Sequence, residues 1–115
     1  MTSEVTSRVR PGTGLLELFT ALFPCGSVTG APKVRTMQII AELEDRTRGV
    51  YTGCIGYVSP GMEACFSVAI RTVVVDREKG VAEYGVGGGV TWDSISLREY
   101  REWQLKARIL SVPGS

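Results

Sequence analysis

An α+β fold is predicted for this 115-residue chain by three observations. Apolar residues recur at helical spacing in three separate stretches, around residues 15–22, 32–44 and 96–110. From Val50 to Val75 the texture changes to β-branched and aromatic residues, which fit a pleated, half-buried surface, and Val81–Val86 follows as a further strand. Pro60-Gly61 and the polar run Asp76 to Gly80 fall where antiparallel strands would reverse.

Taken in order, residues 4–9 alternate weakly and predict an opening strand, halted by Pro11-Gly12, that needs a partner distant in sequence. Leu15 to Leu22 predicts a short helix, with Leu15, Leu18, Phe19 and Leu22 on one face and Pro24 ending it. The loop Gly26 to Ala31 leads into a helix from Pro32 to about Glu44, since proline suits the first helical position. Val34, Met37, Ile40, Ala41 and Leu43 give that helix a broad apolar face. Tyr51–Val58 and Cys65–Val75 form a predicted hairpin, Val81–Val86 a third strand, and Ser96 to Leu110 the final helix. No repeat, linker or low-complexity tract divides the chain, so residues 1–115 read as a single domain.

Composition narrows the function classes. Hydrophobic residues make up 43% and charged residues 22%, as in a soluble globular domain, and the net charge is only +1. No nucleic-acid partner is expected from so weak a balance, and no apolar run approaches the ~20 residues of a membrane helix. Cys25, Cys54 and Cys65 are odd in number and lack CxxC spacing. They predict buried structural thiols and a cytoplasmic location rather than a disulfide framework or a zinc site.

Two loops and one helix carry candidate chemistry. Gly26 to Ala31 runs into a helix N-terminus followed by Lys33, a place suited to a carboxylate or phosphate, although ordinary turn chemistry fits it equally. Gly30 and Lys33 are too far apart for a Walker A loop. Gly85-Val86-Gly87-Gly88-Gly89 follows a strand, and its three consecutive glycines let backbone approach a ligand at an entropic cost that a simple turn would not require. It does not open into a helix as a dinucleotide-binding fingerprint does.

In the last helix, Tyr100, Trp103, Ala107 and Leu110 form an apolar stripe, and Arg101, Gln104 and Arg108 lie opposite. Glu99, Glu102 and Lys106 form a third stripe beside the apolar one. Two carboxylates on one edge suit Mg²⁺, which often takes only one or two protein carboxylates with substrate and water, and a lysine one turn on suits a substrate carboxylate. A purely structural reading competes: Ser96-x-x-Glu99 has capping-box spacing, and Glu102 with Lys106 is a common i,i+4 pair. Tyr51 and Arg71 are read in strands, where a buried Arg71 would need an anionic partner.

Together these elements resemble the C-terminal part of the chorismate-utilising enzymes. The motifs are Phe23-Pro-Cys-Gly-Ser-Val-Thr-Gly-Ala-Pro-Lys33, Leu43-Glu44, Arg48-Gly-Val-Tyr-Thr-Gly53, Ala69-Ile-Arg-Thr72, the 85–89 run, Asp93-Ser94, and Glu99-Tyr-Arg-Glu102 with Lys106. The likeness spans Ser3 to Leu110. Gly26 to Lys33 and Tyr84 to Ser94 look most like the aminodeoxychorismate synthase component I branch, whereas anthranilate synthases more often carry Gly-Thr-x-Ser-Gly and Gly-Ala-Gly there. Cys25 stands where glycine or alanine is commoner, and Ile95-Ser96 where an aspartate or proline is usual.

The resemblance implies amination of chorismate at C4 to 4-amino-4-deoxychorismate, a precursor of p-aminobenzoate and folate, with ammonia from a glutaminase subunit and Mg²⁺ as cofactor. It implies that Ser27, Tyr51, Arg71, Gly87, Gly88, Gly89 and Lys106 bind substrate, Tyr51 and Arg71 at a carboxylate. It implies that Glu102 ligates Mg²⁺ directly while Glu99 supports it. The family's upstream half carries another acidic ligand, the general acid or base glutamates, a histidine and, in aminodeoxychorismate synthases, a nucleophilic lysine, and nothing here matches them. The chain is therefore expected to be a partial chorismate-binding domain: an expressed fragment, a truncated product or one piece of a split protein. Alone it should be inactive, bind chorismate and Mg²⁺ weakly at best, and tend to oligomerise through surface left uncovered. The competing classes are an anthranilate synthase segment and a non-catalytic anion-binding or interaction module.

Overall fold

The computed structural model describes residues 3–110. Helices and small antiparallel sheets alternate along the chain, so the α+β class holds. Helix α1 (Leu15–Leu22) follows the predicted bounds, with Leu15, Leu18 and Phe19 turned inward. Phe19 meets Phe66 edge-on at 4.8 Å between ring centroids, which joins α1 to the first hairpin.

The segment expected as a loop at 26–30 is a single helical turn, α2 (Gly26–Thr29), closed by Gly30 at φ 107°. Helix α3 (Lys33–Leu43) begins one residue later than predicted, because Pro32 is extended and caps it from outside. The α3 side chains turned inward are Lys33, Thr36 and Ile40, while Val34 and Leu43 of the expected apolar face lie exposed.

Strands β1 (Cys54–Val58) and β2 (Ala64–Val68) form the predicted hairpin, in register from Cys54 opposite Val68 to Val58 opposite Ala64. Pro60-Gly61 lies in its turn, closed by the Ser59 N–H donating to the Glu63 carbonyl at 2.8 Å. Gly56 faces Phe66 so closely that a Cβ would run into the ring and the Cys65 carbonyl.

The long strand expected over Cys65–Val75 is broken. Thr52 N–H donates to the Ala69 carbonyl at 2.9 Å and Ala69 N–H to the Gly53 carbonyl at 3.0 Å, which extends the first ladder by a step. Arg71 then takes a left-handed conformation, φ 52°, and redirects the chain into β3 (Val73–Asp76). β3 pairs with β4 (Val81–Tyr84), so the sheet is two separate hairpins. Asp76 Oδ1 accepts from the N–H groups of Glu78 and Lys79 at 3.1 and 3.0 Å, which fixes the predicted polar turn.

Residues 4–9 form no strand; Val5 is 92% exposed and no ladder partner reaches it. A strand without a partner leaves its backbone groups to water, so alternation alone does not create one. Met1 lies outside the described residues. Helix α4 (Ser96–Ala107) continues as a single 3₁₀ turn, α5 (Arg108–Leu110).

Little of this is buried. Among the described residues only Ala69 and Thr52 are fully enclosed. The expectation of buried thiols fails: Cys25 and Cys54 are half-buried, Cys65 is exposed, and all three are free. Cys65 lies on the face of β2 opposite Phe66, and only the Phe66 face is covered, by α1, so burial of Cys65 depends on surface the described residues do not supply.

Candidate functional site

The glycine run after β4 lies between two aromatic rings. The Tyr51 ring sits against Gly85, where any Cβ would enter it, and the Tyr51 hydroxyl lies 2.9 Å from the position a Gly87 Cβ would take. From the α4 side, Trp103 Nε1 lies 2.6 Å and Glu99 Oε2 3.4 Å from the corresponding point at Gly88. Neither contact needs a left-handed backbone. Glycine is required at 85 and 88 because side chains already occupy the space.

Lys106 fastens the run to α4. Its Nζ donates to the Gly87 carbonyl at 3.1 Å and pairs with Glu102 Oε1 at 2.7 Å. Glu99 is half-buried and accepts from Ser94 Oγ at 2.8 Å, while the same hydroxyl accepts from the Thr91 N–H at 3.0 Å. Glu99 is thereby oriented from outside the helix. The capping-box alternative is not realised, since Ile95 is the N-cap and no side chain caps α4. The Glu102–Lys106 pair is realised, so that half of the structural reading stands beside the functional one.

Tyr51 is held in turn by a charged fork. Arg48 grips Glu44 through Nε at 2.9 Å to Oε2, with a second bond from Nη2 to Oε1, and reaches Thr52 Oγ1 at 3.4 Å. Its guanidinium lies 5.9 Å from the Tyr51 ring centroid. Hydrogen bonding from Arg48 holds the Glu44 carboxyl below its ordinary range, and the carboxylate raises Arg48. Glu44 and Arg48 were visible in the sequence as motif residues; their support of Tyr51 was not, because Glu44 caps α3 while Arg48 lies beyond the helix, so helical spacing does not apply.

The site residues expected from sequence thus divide. Tyr51, Gly87, Gly88, Gly89, Glu99, Glu102 and Lys106 come together around one loop. Arg71 and Ser27 are exposed, and among the described residues neither makes an ion pair or side-chain hydrogen bond that ties it to that loop. Arg71 sits at the bend between hairpins rather than inside a strand. Lys33 does not face an anion: its Nζ donates to the carbonyls of Thr20, Ala21 and Phe23 at 3.4, 3.0 and 3.2 Å, covering the open C-terminus of α1. Trp103 and Ser94 are the residues that spacing did not single out for the site.

The arrangement offers an anion three things: the Lys106 ammonium, the N–H groups of Gly87 to Gly89, which have no protein acceptor among the described residues, and the Tyr51 hydroxyl. It offers a cation only Glu99 and Glu102. Among the described residues no group of three or more metal-ligating side chains gathers. No helix there is long and apolar enough to cross a membrane.

These features define a wall with a lysine ammonium, glycine amides unpartnered among the described residues and two carboxylates, in a domain that leaves most of its apolar surface uncovered. Residues 1–111 match the chorismate binding enzyme family, and the chain belongs to it. It is 43% identical over 105 residues to anthranilate synthase component 1 of Methanothermobacter thermautotrophicus, covering 91% of this chain and 22% of that protein. It is 47% identical over 107 residues to an aminodeoxychorismate synthase of Streptomyces griseus, covering 93% of this chain and 14% of that protein. Against anthranilate synthase component 1 of Lactococcus lactis the identity is 40% over 114 residues, 99% of this chain and 25% of that protein. The chain therefore spans a quarter or less of the length of these relatives.

Proposed function

We propose that the chain forms one wall of the active site of an aminodeoxychorismate synthase component I, which replaces the C4 hydroxyl of chorismate with ammonia and releases water. Support comes from the glycine run clamped by Tyr51 and Trp103, tied to Lys106 and opened toward an anion. The Gly26-Ser-Val-Thr-Gly-Ala-Pro-Lys33 motif and the 47% identity to the Streptomyces griseus protein favour this branch.

Chorismate is a dianion, so a cationic group and oriented N–H dipoles suit its carboxylates. In this reading Lys106 and the Gly87 to Gly89 amides take one carboxylate, and the Tyr51 hydroxyl borders it. Arg71 and Ser27 join the site only once further polypeptide covers this face. Glu99 and Glu102 fit Mg²⁺, which needs few protein carboxylates when substrate and water complete its shell. Mg²⁺ would supply positive charge that eases departure of the C4 oxygen. Ser94 holds Glu99 for that role, and Lys106 would trade Glu102 for the substrate carboxylate. The nucleophile, the general acid and the remaining acidic ligand belong to other polypeptide, and ammonia to a glutaminase partner.

A second reading rests on the 43% identity to an anthranilate synthase component 1 over a larger share of the relative. That reaction aminates C2 and expels pyruvate. The deciding assay mixes the chain in parallel with the upstream polypeptide of the Streptomyces griseus relative and with that of the Methanothermobacter thermautotrophicus relative, adds chorismate, Mg²⁺ and ammonium, and identifies by chromatography the product of whichever pairing is active. The proposal predicts 4-amino-4-deoxychorismate without pyruvate. Anthranilate with pyruvate would establish the second reading.

A further inference from the structure

The Trp103 indole N–H is the one buried side-chain polar atom among the described residues that has no hydrogen-bond partner. Such donors are uncommon because burial removes water without supplying an acceptor. This one lies directly against Gly88. A second oddity is its neighbour. Gly85 and Gly88 are explained by the rings packed on them, yet around Gly89 the space is open and its φ lies outside the left-handed region, so nothing in this conformation calls for glycine there. The third is that the amides of Gly87 to Gly89 have no protein acceptor.

One movement accounts for all three. We propose that the Gly88–Gly89 peptide flips when an anion binds, and that Trp103 is the positioning residue that receives the flipped carbonyl. Rotation of that peptide changes ψ of Gly88 and φ of Gly89 by roughly a half-turn while leaving the chain path in place. It carries φ of Gly89 toward positive values, which glycine alone adopts freely. The Gly88 carbonyl then accepts from Trp103 Nε1, and the Gly89 N–H, which has no protein acceptor among the described residues before the flip, is redirected onto the bound anion. Lys106 keeps Gly87 fixed throughout, so the movement is confined to one peptide. The inference rests on the reading that the glycine run receives an anion, and goes beyond it by assigning Trp103 a role and Gly89 a reason.

The chain has two tryptophans, and Trp92 is 99% exposed. A ¹H–¹⁵N spectrum therefore shows two indole signals, one a solvent reference, assigned with Trp92→Phe. Chorismate with Mg²⁺ is titrated into the whole chain while the indole signals and the amides of Gly87 to Gly89 are followed. The expected result is a saturable downfield shift of the Trp103 indole in step with the glycine amides, with Trp92 unmoved. Trp103→Phe keeps the ring and loses the donor, and Gly89→Ala fits the ligand-free conformation; each should weaken chorismate about three- to tenfold with little change in Tm. If the glycine amides shift but the Trp103 indole does not, and both variants bind like the parent, the flip is overturned and the anion site stands. If neither amides nor indole move at millimolar chorismate, both readings fall.

Discussion

Lys33 shows how a residue can be read correctly as engaged and wrongly as to its partner. Its place after a glycine-containing loop and at a helix start points to an anion, but three carbonyls at the end of α1 hold it instead. Those carbonyls lie 10 to 13 residues upstream, beyond any periodic signal. Lys33→Met should lower stability by about 0.5–1.5 kcal/mol in urea unfolding and leave chorismate affinity unchanged, since it removes carbonyl contacts and no ligand contact. Tyr51 was legible as a motif residue; its packing on Gly85 was not, because only the fold brings the end of β4 beside it. The Glu44–Arg48 fork carries a pH signature. Hydrogen bonding from Arg48 depresses the Glu44 carboxyl in the folded chain. Its contribution to stability is thus present above the unfolded glutamate value of about 4.3 and lost as pH falls through the lower folded value. Unfolding midpoints measured below about pH 4.5 should decline less steeply in Glu44→Gln than in the parent.

At the scale of elements, α1, α3, the β1–β2 hairpin and α4 follow from periodicity and turn chemistry to within a residue or a few at their ends. The break between β2 and β3 did not. Cys65 to Val75 reads as one apolar run, and the stop comes from Arg71 in a left-handed conformation just past Ala69, the residue whose carbonyl accepts from Thr52, itself left-handed at φ 67°. Neither residue type advertises that conformation. Arginine in this region stores strain of about 1 kcal/mol, which persists when a side chain is wanted at that point. Arg71→Gly should therefore raise the stability of the chain by up to about 1 kcal/mol in chemical denaturation, while lowering chorismate affinity wherever the site is complete. A loss of stability on that substitution would show that Arg71 is held for packing instead. The opening segment, predicted as a strand, failed for the complementary reason: local alternation was present and the partner ladder was not.

Across the whole molecule, exposed surface outweighs everything else. A compact protein of 12.4 kDa exposes about 6,100 Å², whereas this chain exposes 10374 Å². Its radius of gyration is 17.1 Å against about 13 Å for a compact domain of this length. An open cleft of about 440 Å³ lined by Met37, Ile40, Glu44, Arg48 and Thr52 adds to the uncovered face. Hydropathy patterns report which faces are apolar but not whether anything covers them, so this property was not legible in the helical and strand signals. It follows from the span of the relatives, of which the chain matches a quarter or less. Isolated chain should self-associate, giving a light-scattering mass above 12.4 kDa that rises with concentration. Association should fall when the upstream polypeptide is added. The proposed function requires that one wall of the chorismate site be preformed here despite the uncovered surface. Isothermal titration of chorismate into the purified chain, with and without Mg²⁺ and alongside Glu102→Ala, tests it most directly. A preformed wall gives weak, saturable, Mg²⁺-dependent binding that Glu102→Ala abolishes; binding that ignores both Mg²⁺ and the substitution, or no heat in any sample, would show that no such wall exists.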